Sequence, residues 1–251
     1  MALVQVLFTA NAQESVPKYL EVARELVQNI KPENNLYHYE TSARYIRFPS
    51  SGYTVHTDCT GFIEAMLDRG NGISLRFSTR LLSDRYSIID WVDGVERGEM
   101  FDQIKTVKDM KPGDLFMWKL MPKVKASTGT VFNGHVVMID SEPVKVEPQR
   151  APFAEGLVQW EVWVMDSYPG PLSHDDTRYV QGANAAQADA AQLENSGKPT
   201  LKKITGVGRG RMYIFTDEAG NLRAYSNAFS KSRLALQDKD SHMIIARPRI
   251  K

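Results

Sequence analysis

The chain has one cysteine, Cys59, and its neighbours suit a reactive thiol. Thr57-Asp58-Cys59-Thr60-Gly61-Phe62-Ile63 runs from polar residues into an apolar helical pattern, with the thiol at the junction. Far downstream, Gly134-His135-Val136-Val137-Met138-Ile139 is a strand pattern that opens on an imidazole. Further on, Val162-Trp163-Val164-Met165-Asp166-Ser167 is a second strand pattern ending in a carboxylate. A thiol at a helix start, an imidazole on one strand and a carboxylate on the next are the parts of an activated sulfur nucleophile. They are distant in sequence, so the fold must bring them together.

Each residue type has a chemical reason to be there. The thiolate attacks, whereas a free cysteine is mostly protonated at neutral pH. The first helical turn favours negative charge through its unpaired N–H groups and dipole, and a nearby imidazolium adds to that. Those same N–H groups can face the oxyanion of a tetrahedral intermediate, where one donor is worth on the order of 3 kcal/mol of barrier. Thr60 and Gly61 are small enough to let a carbonyl approach. His135 must offer one ring nitrogen to sulfur and be held by the other. Asp166 on an adjacent antiparallel strand could hold it, because cross-strand neighbours lie about 5 Å apart. Taken singly, a cysteine is a small core filler, a strand-opening histidine is structural and a strand-ending aspartate is a turn cap. Their combination, in this order, favours catalysis.

At 251 residues, with 42% hydrophobic and 24% charged residues, the chain has the composition of a soluble globular protein. Its formal net charge of +1 gives no global field that would draw nucleic acid or an anionic membrane. One cysteine excludes an intrachain disulfide. No apolar run reaches the roughly 18 residues of a membrane span. Residues 1–14 read as a signal-like segment or a disordered arm, with Ala10-Asn11-Ala12 resembling a cleavage site but no basic residue ahead of it.

The elements that must position the three side chains follow from periodicity. Ser15-Val16-Pro17 starts a helix that Lys31-Pro32 ends. A second helix runs from Cys59 to about Arg69 and stops at Gly70, capped by Thr57 or Asp58. Residues 72–106 are mixed and carry no clear assignment. Pro112-Gly113-Asp114 is a turn feeding a strand at 115–118, and strands follow at 135–139 and 159–166. Insertions fall near 142–157 and 180–200. Strands at 211–216, 222–225 and 242–247 read as a meander. Helices first and an antiparallel sheet afterwards predict an α+β fold, with residues 15–251 as one domain.

Three motifs carry a resemblance. Asp58-Cys59-Thr60-Gly61-Phe62, Lys111-Pro112-Gly113-Asp114-Leu115 and Gly134-His135-Val136 resemble, in that order, signatures of the papain-like cysteine peptidases of bacterial cell-wall turnover, the NlpC-type and CHAP-type amidases and endopeptidases. The match covers roughly residues 35–170 and departs from the family in Thr60, where serine is usual, and in a longer segment before Asp166. The resemblance implies a papain-like fold with N-terminal helices on an antiparallel sheet. It implies a Cys59-His135-Asp166 hydrolase that needs no metal and no cofactor and cleaves peptide or peptidoglycan-like amides. It also implies an upstream tyrosine near the thiol, for which Tyr45 is preferred over Tyr53. The expected substrate or oxyanion contacts are Tyr45, Asp58, Thr60, Gly134, Ser167 and His174. On the same substrate analogy an exported or periplasmic location is favoured over a cytoplasmic one. Alternatives are a deamidase or acyltransferase using the same triad, and a non-catalytic binding module.

Other patterns carry less. The polar cluster at residues 174–178 reads as a solvated loop, in preference to a substrate contact or a substitute for Asp166. Gly206-Val207-Gly208-Arg209-Gly210 lacks the third fingerprint glycine and reads as a glycine turn lining the cleft or bending the sheet. His56 and Cys59 have no second ligand pair, which argues against structural zinc.

Overall fold

A computed structural model describes residues 15–39, 45–49, 52–78, 86–125, 131–181, 201–228, 234–238 and 241–250. Two helices pack first. α1 (Lys18–Asn29) buries Tyr19, Leu20, Ala23 and Leu26, and α2 (Cys59–Asn71) buries Phe62, Ile63, Met66 and Leu67 against them. Ser15 does not cap α1. Pro17 takes that place without a side-chain bond, and the Tyr19 amide is satisfied instead by Asn71 Oδ1 of α2, at 3.0 Å. α2 also overruns the expected stop at Gly70 and ends at Asn71, capped by Gly72 in the left-handed conformation at φ 64°. Gly70 lies inside the helix, and the α1 backbone at Tyr19 crosses where a side chain on it would be.

The segment without a sequence assignment contains α3 (Ile88–Glu96). It opens on a capping box in which Ser87 and Asp90 bond each other's backbone amides. Three short strands, β1 (Asn35–Tyr37), β2 (Tyr45–Arg47) and β3 (Thr54–Thr57), form a small sheet in the order β1-β3-β2, with β1 parallel to β3. The large sheet contains β4 (Phe101–Ile104), β5 (Leu115–Lys125), β6 (Val131–Ile139), β7 (Val144–Lys145) and β8 (Val158–Tyr168). A separate pair, β9 (Tyr179–Gln181) and β10 (Leu201–Lys203), lies outside it. The large sheet is completed by β11 (Gly206–Thr216), β12 (Leu222–Asn227), β13 (Ala235–Leu236) and β14 (Ser241–Pro248). Its strand order is β13-β12-β11-β8-β6-β5-β14-β4, with β7 on β8, and all its pairings are antiparallel. The chain is therefore α+β. The C-terminal strands are not a simple meander, because β14 crosses back to lie between β5 and β4. Most of the expected insertion at 180–200 falls outside the described residues. No helix among the described residues is long and apolar enough to cross a membrane.

The Pro112-Gly113-Asp114 turn is a joint between layers. Gly113 takes φ 97°, which favours glycine, and its carbonyl accepts the Tyr19 hydroxyl of α1 at 2.9 Å. Asp114 is buried and accepts its own turn's Lys111 amide and the Arg247 guanidinium of β14, 133 residues away. Gly70→Ala tests the helix crossing. Alanine gains up to about 1 kcal/mol of helix propensity, but its methyl meets backbone rather than a movable side chain. The clash dominates, and the variant is expected to lose about 1–3 kcal/mol in chemical denaturation.

Candidate active site

Asp58, extended at φ −94°, resolves which residue caps α2. Its Oδ1 accepts the Gly61 amide at 2.9 Å and the Thr60 hydroxyl at 3.2 Å. This aims the first turn and puts Cys59 at its opening position. Helix geometry leaves the Cys59 amide without an intrahelical acceptor. One residue before the cap, the Thr57 carbonyl accepts the Ser167 hydroxyl at 2.8 Å, which clasps the helix start to the end of β8. Asp58, Thr60 and Ser167 were all expected to meet substrate. All three are buried and use these groups inside the protein, where they fix the helix start that carries Cys59. Gly134 is corrected in the same sense. At φ 138° it lies against the Trp118 carbonyl, where a side chain would not fit, and so lets β5 and β6 come close.

The three residues predicted to converge do so. His135 Nε2 and Asp166 Oδ2 are 2.8 Å apart. The Cys59 side chain lies close enough to the ring to raise its pKa. β6 and β8 pair at only two positions, Met138 with Met165 and Ile139 with Val164. α2 packs on both strands. β6 begins at Val131, four residues before the expected start at His135, so the imidazole stands mid-strand, while Asp166 lies near the end of β8. The imidazole is flanked by Tyr168 at 4.9 Å and Trp118 at 5.2 Å between ring centroids. Burial alone would lower its pKa. Attraction to the Cys59 sulfur and the bond to Asp166 outweigh that and push it up to about 10.

Asp166 is completely buried and has a second cation. Its Oδ1 lies 2.9 Å from Arg178 Nη1, an ion pair that falls short of hydrogen-bond alignment. Arg178 is also completely buried. Its Nε and Nη2 bond both carboxylate oxygens of Asp176, at 2.9 and 2.8 Å, and its Nη1 reaches the Gly206 carbonyl at 3.3 Å. Burial would lower the arginine pKa, but Asp166 and Asp176 together raise it. Asp176 in turn accepts the amides of Leu172 and Arg178. Residues 174–178 are thus no solvated loop: His174, Asp175 and Thr177 are exposed, while Asp176 and Arg178 turn inward. The glycine run at 206–210 is no turn either. It lies in β11, where Gly208 pairs with Asp166, and a methyl on Gly208 would come 2.5 Å from Arg178 Nε. Gly210 leaves room for the Asp176 carboxylate in the same way.

The tyrosine beside the thiol is Tyr37 rather than Tyr45. Tyr37 pairs with Thr57 across the small sheet, and burial followed by the charge of Cys59 and Asp58 raises its pKa. Tyr45 is exposed, packed near His56 with the Arg47 guanidinium over its ring. Nothing local marks Tyr37 in a segment crowded with tyrosines, because only the parallel β1–β3 pairing brings it to Thr57.

No family model, curated protein or solved structure matches this chain.

His135 carries a pH dependence with a definite sign. Its folded pKa lies above the unfolded value near 6.5. The stabilisation it contributes is therefore complete below that value and is lost as pH rises through about 10. Cys59→Ala removes the strongest influence that raises the pKa, so the His135 titration followed by NMR is expected to move toward neutrality.

Proposed function

We propose that this chain is a papain-like cysteine hydrolase that cleaves an amide bond through a thioester on Cys59. The observation that carries this reading is one buried imidazole bonded to a buried carboxylate and close enough to the only thiol for its charge to raise the imidazole pKa. The sulfur attacks the carbonyl carbon and forms the C–S bond. His135 gives its proton to the leaving nitrogen as the C–N bond breaks. Water then attacks the thioester, yields a proton to His135 and releases the acid and the sulfur. Asp166 fixes the ring orientation throughout, and the Cys59 amide at the helix start is the donor best placed for the oxyanion.

The α+β frame, with the thiol helix packed on an antiparallel sheet, supports the papain-like reading. The three sequence motifs favour the peptide stems of bacterial cell wall as substrate. Their structural counterparts here are a capped helix start, a turn that joins layers and the strand bearing the base. Fold analogy supplies the substrate class, and site chemistry supplies the reaction.

The test is hydrolysis of purified cell wall and of model amides by the wild type and by Cys59→Ala. The variant is expected to lose about 10³-fold or more. Iodoacetamide is expected to label the wild-type thiol near neutral pH, as an activated thiolate does. Unchanged hydrolysis by the variant, or a thiol that reacts only in alkali, would sink the mechanism. Product mass separates hydrolysis of a peptide stem from deamidation or acyl transfer.

A further inference from the structure

We propose that Asp176 and Arg178 are positioning residues for this reaction, and that the guanidinium, braced by Asp176, holds Asp166 with Oδ2 turned to His135. The proposal rests on the cysteine-hydrolase reading above for its chemistry but on separate geometry for its structure. From the thiol inward, the charged or chargeable groups are Cys59, His135, Asp166, Arg178 and Asp176, each next to a group of opposite sign.

A carboxylate with no solvent contact is costly unless its charge is compensated and its oxygens are engaged. Asp166 divides the task, with Oδ2 on the imidazole and Oδ1 beside the guanidinium. Rotation of that carboxylate would break both contacts. Arg178 itself cannot swing toward Asp166, because two of its nitrogens are held by the fork of Asp176 and a third reaches Gly206. The space for this arrangement is built into the partner strand. Gly208 stands directly across from Asp166, and any side chain there would strike the arginine. A loop stabilised only for its own sake would not need an arginine fork sunk beneath the residue that orients the base.

Deleting the arginine outright would leave two buried carboxylates facing each other and endanger folding, so two milder variants carry the test. Asp176→Asn keeps the shape and weakens the brace. Gly208→Ala changes no ionisable group and pushes the guanidinium sterically. Each is checked for folding by circular dichroism. Each is then scored on the downfield proton resonance of the His135–Asp166 hydrogen bond and on the rate at which Cys59 is alkylated by iodoacetamide at neutral pH. In both variants the resonance is expected to broaden or vanish, and alkylation to slow about tenfold, as a loss of about 1.4 kcal/mol of attraction between the thiolate and a misdirected imidazolium would give. On any amide substrate cleaved by the wild type, kcat is expected to fall with KM little changed. Folded variants that keep the wild-type resonance and alkylation rate would overturn the proposal and leave the pair as a buttress only. Failure of the hydrolase reading looks different: the wild type itself would then show no thiol-dependent hydrolysis, whatever the variants did to the resonance.

Discussion

One buried carboxylate organises the centre of this molecule. Asp166 has no access to water, so its charge must be balanced by protein groups, and two cations from different parts of the chain approach it. In a medium of low polarity such contacts are strong when complete and expensive when broken. Removing one partner from a buried ion pair commonly costs about 3–5 kcal/mol. Much of the surrounding architecture reads as accommodation of that single charge. β11 is stripped to glycine where the guanidinium passes, and the loop from Leu172 folds inward so that Asp176 can meet it. The helix start then brings Cys59 near the same imidazole.

Precision at the thiol comes from two short restraints instead of a large interface. The Asp58 side chain fixes the direction of the first helical turn, and the Ser167 hydroxyl fastens the preceding carbonyl to β8, next to Asp166. Cys59 and Asp166 are therefore tied to the same stretch of strand. A shift of α2 along the sheet would strain that clasp before it separated sulfur from the ring. Residues that look like substrate contacts in the sequence, Asp58, Thr60 and Ser167, are used for this placement instead.

How much of this was readable in advance depended on whether the cause was local. Cys59, His135 and Asp166 could be picked out because each residue type is chemically distinctive and each sits at the end of a clear helix or strand pattern. The Pro-Gly-Asp turn was visible for the same reason. α3 was missed although Ser87 and Asp90 form a capping box. The helix is short, only nine residues, and its polar stripe of Asp90, Asp93 and Glu96 spans too few turns to stand out beside Ile88, Ile89, Trp91, Val92 and Val95. Asp176 and Arg178 looked like surface residues because charge is normally a surface property. Their burial is decided by glycines on β11 and by a carboxylate on β8, and no local window contains both. The same holds for Tyr37, whose place beside the thiol follows from a parallel strand pairing.

The path of β14 bears on how the polypeptide acquires its shape. Residues 115–120 are flanked by β6 soon after both segments exist, but their other neighbour arrives only with residues 241–246. Until then β5 is an open border with unpaired amides and carbonyls, and Asp114 lacks its Arg247 partner. Closing so long a loop is entropically slow, as it is for any topology dominated by distant contacts. A nascent chain could therefore assemble the thiol, the imidazole and their carboxylate while one flank of the sheet was still unfinished. Self-association during synthesis or refolding would then start at that unpaired border, which includes Trp118, the residue paired with His135.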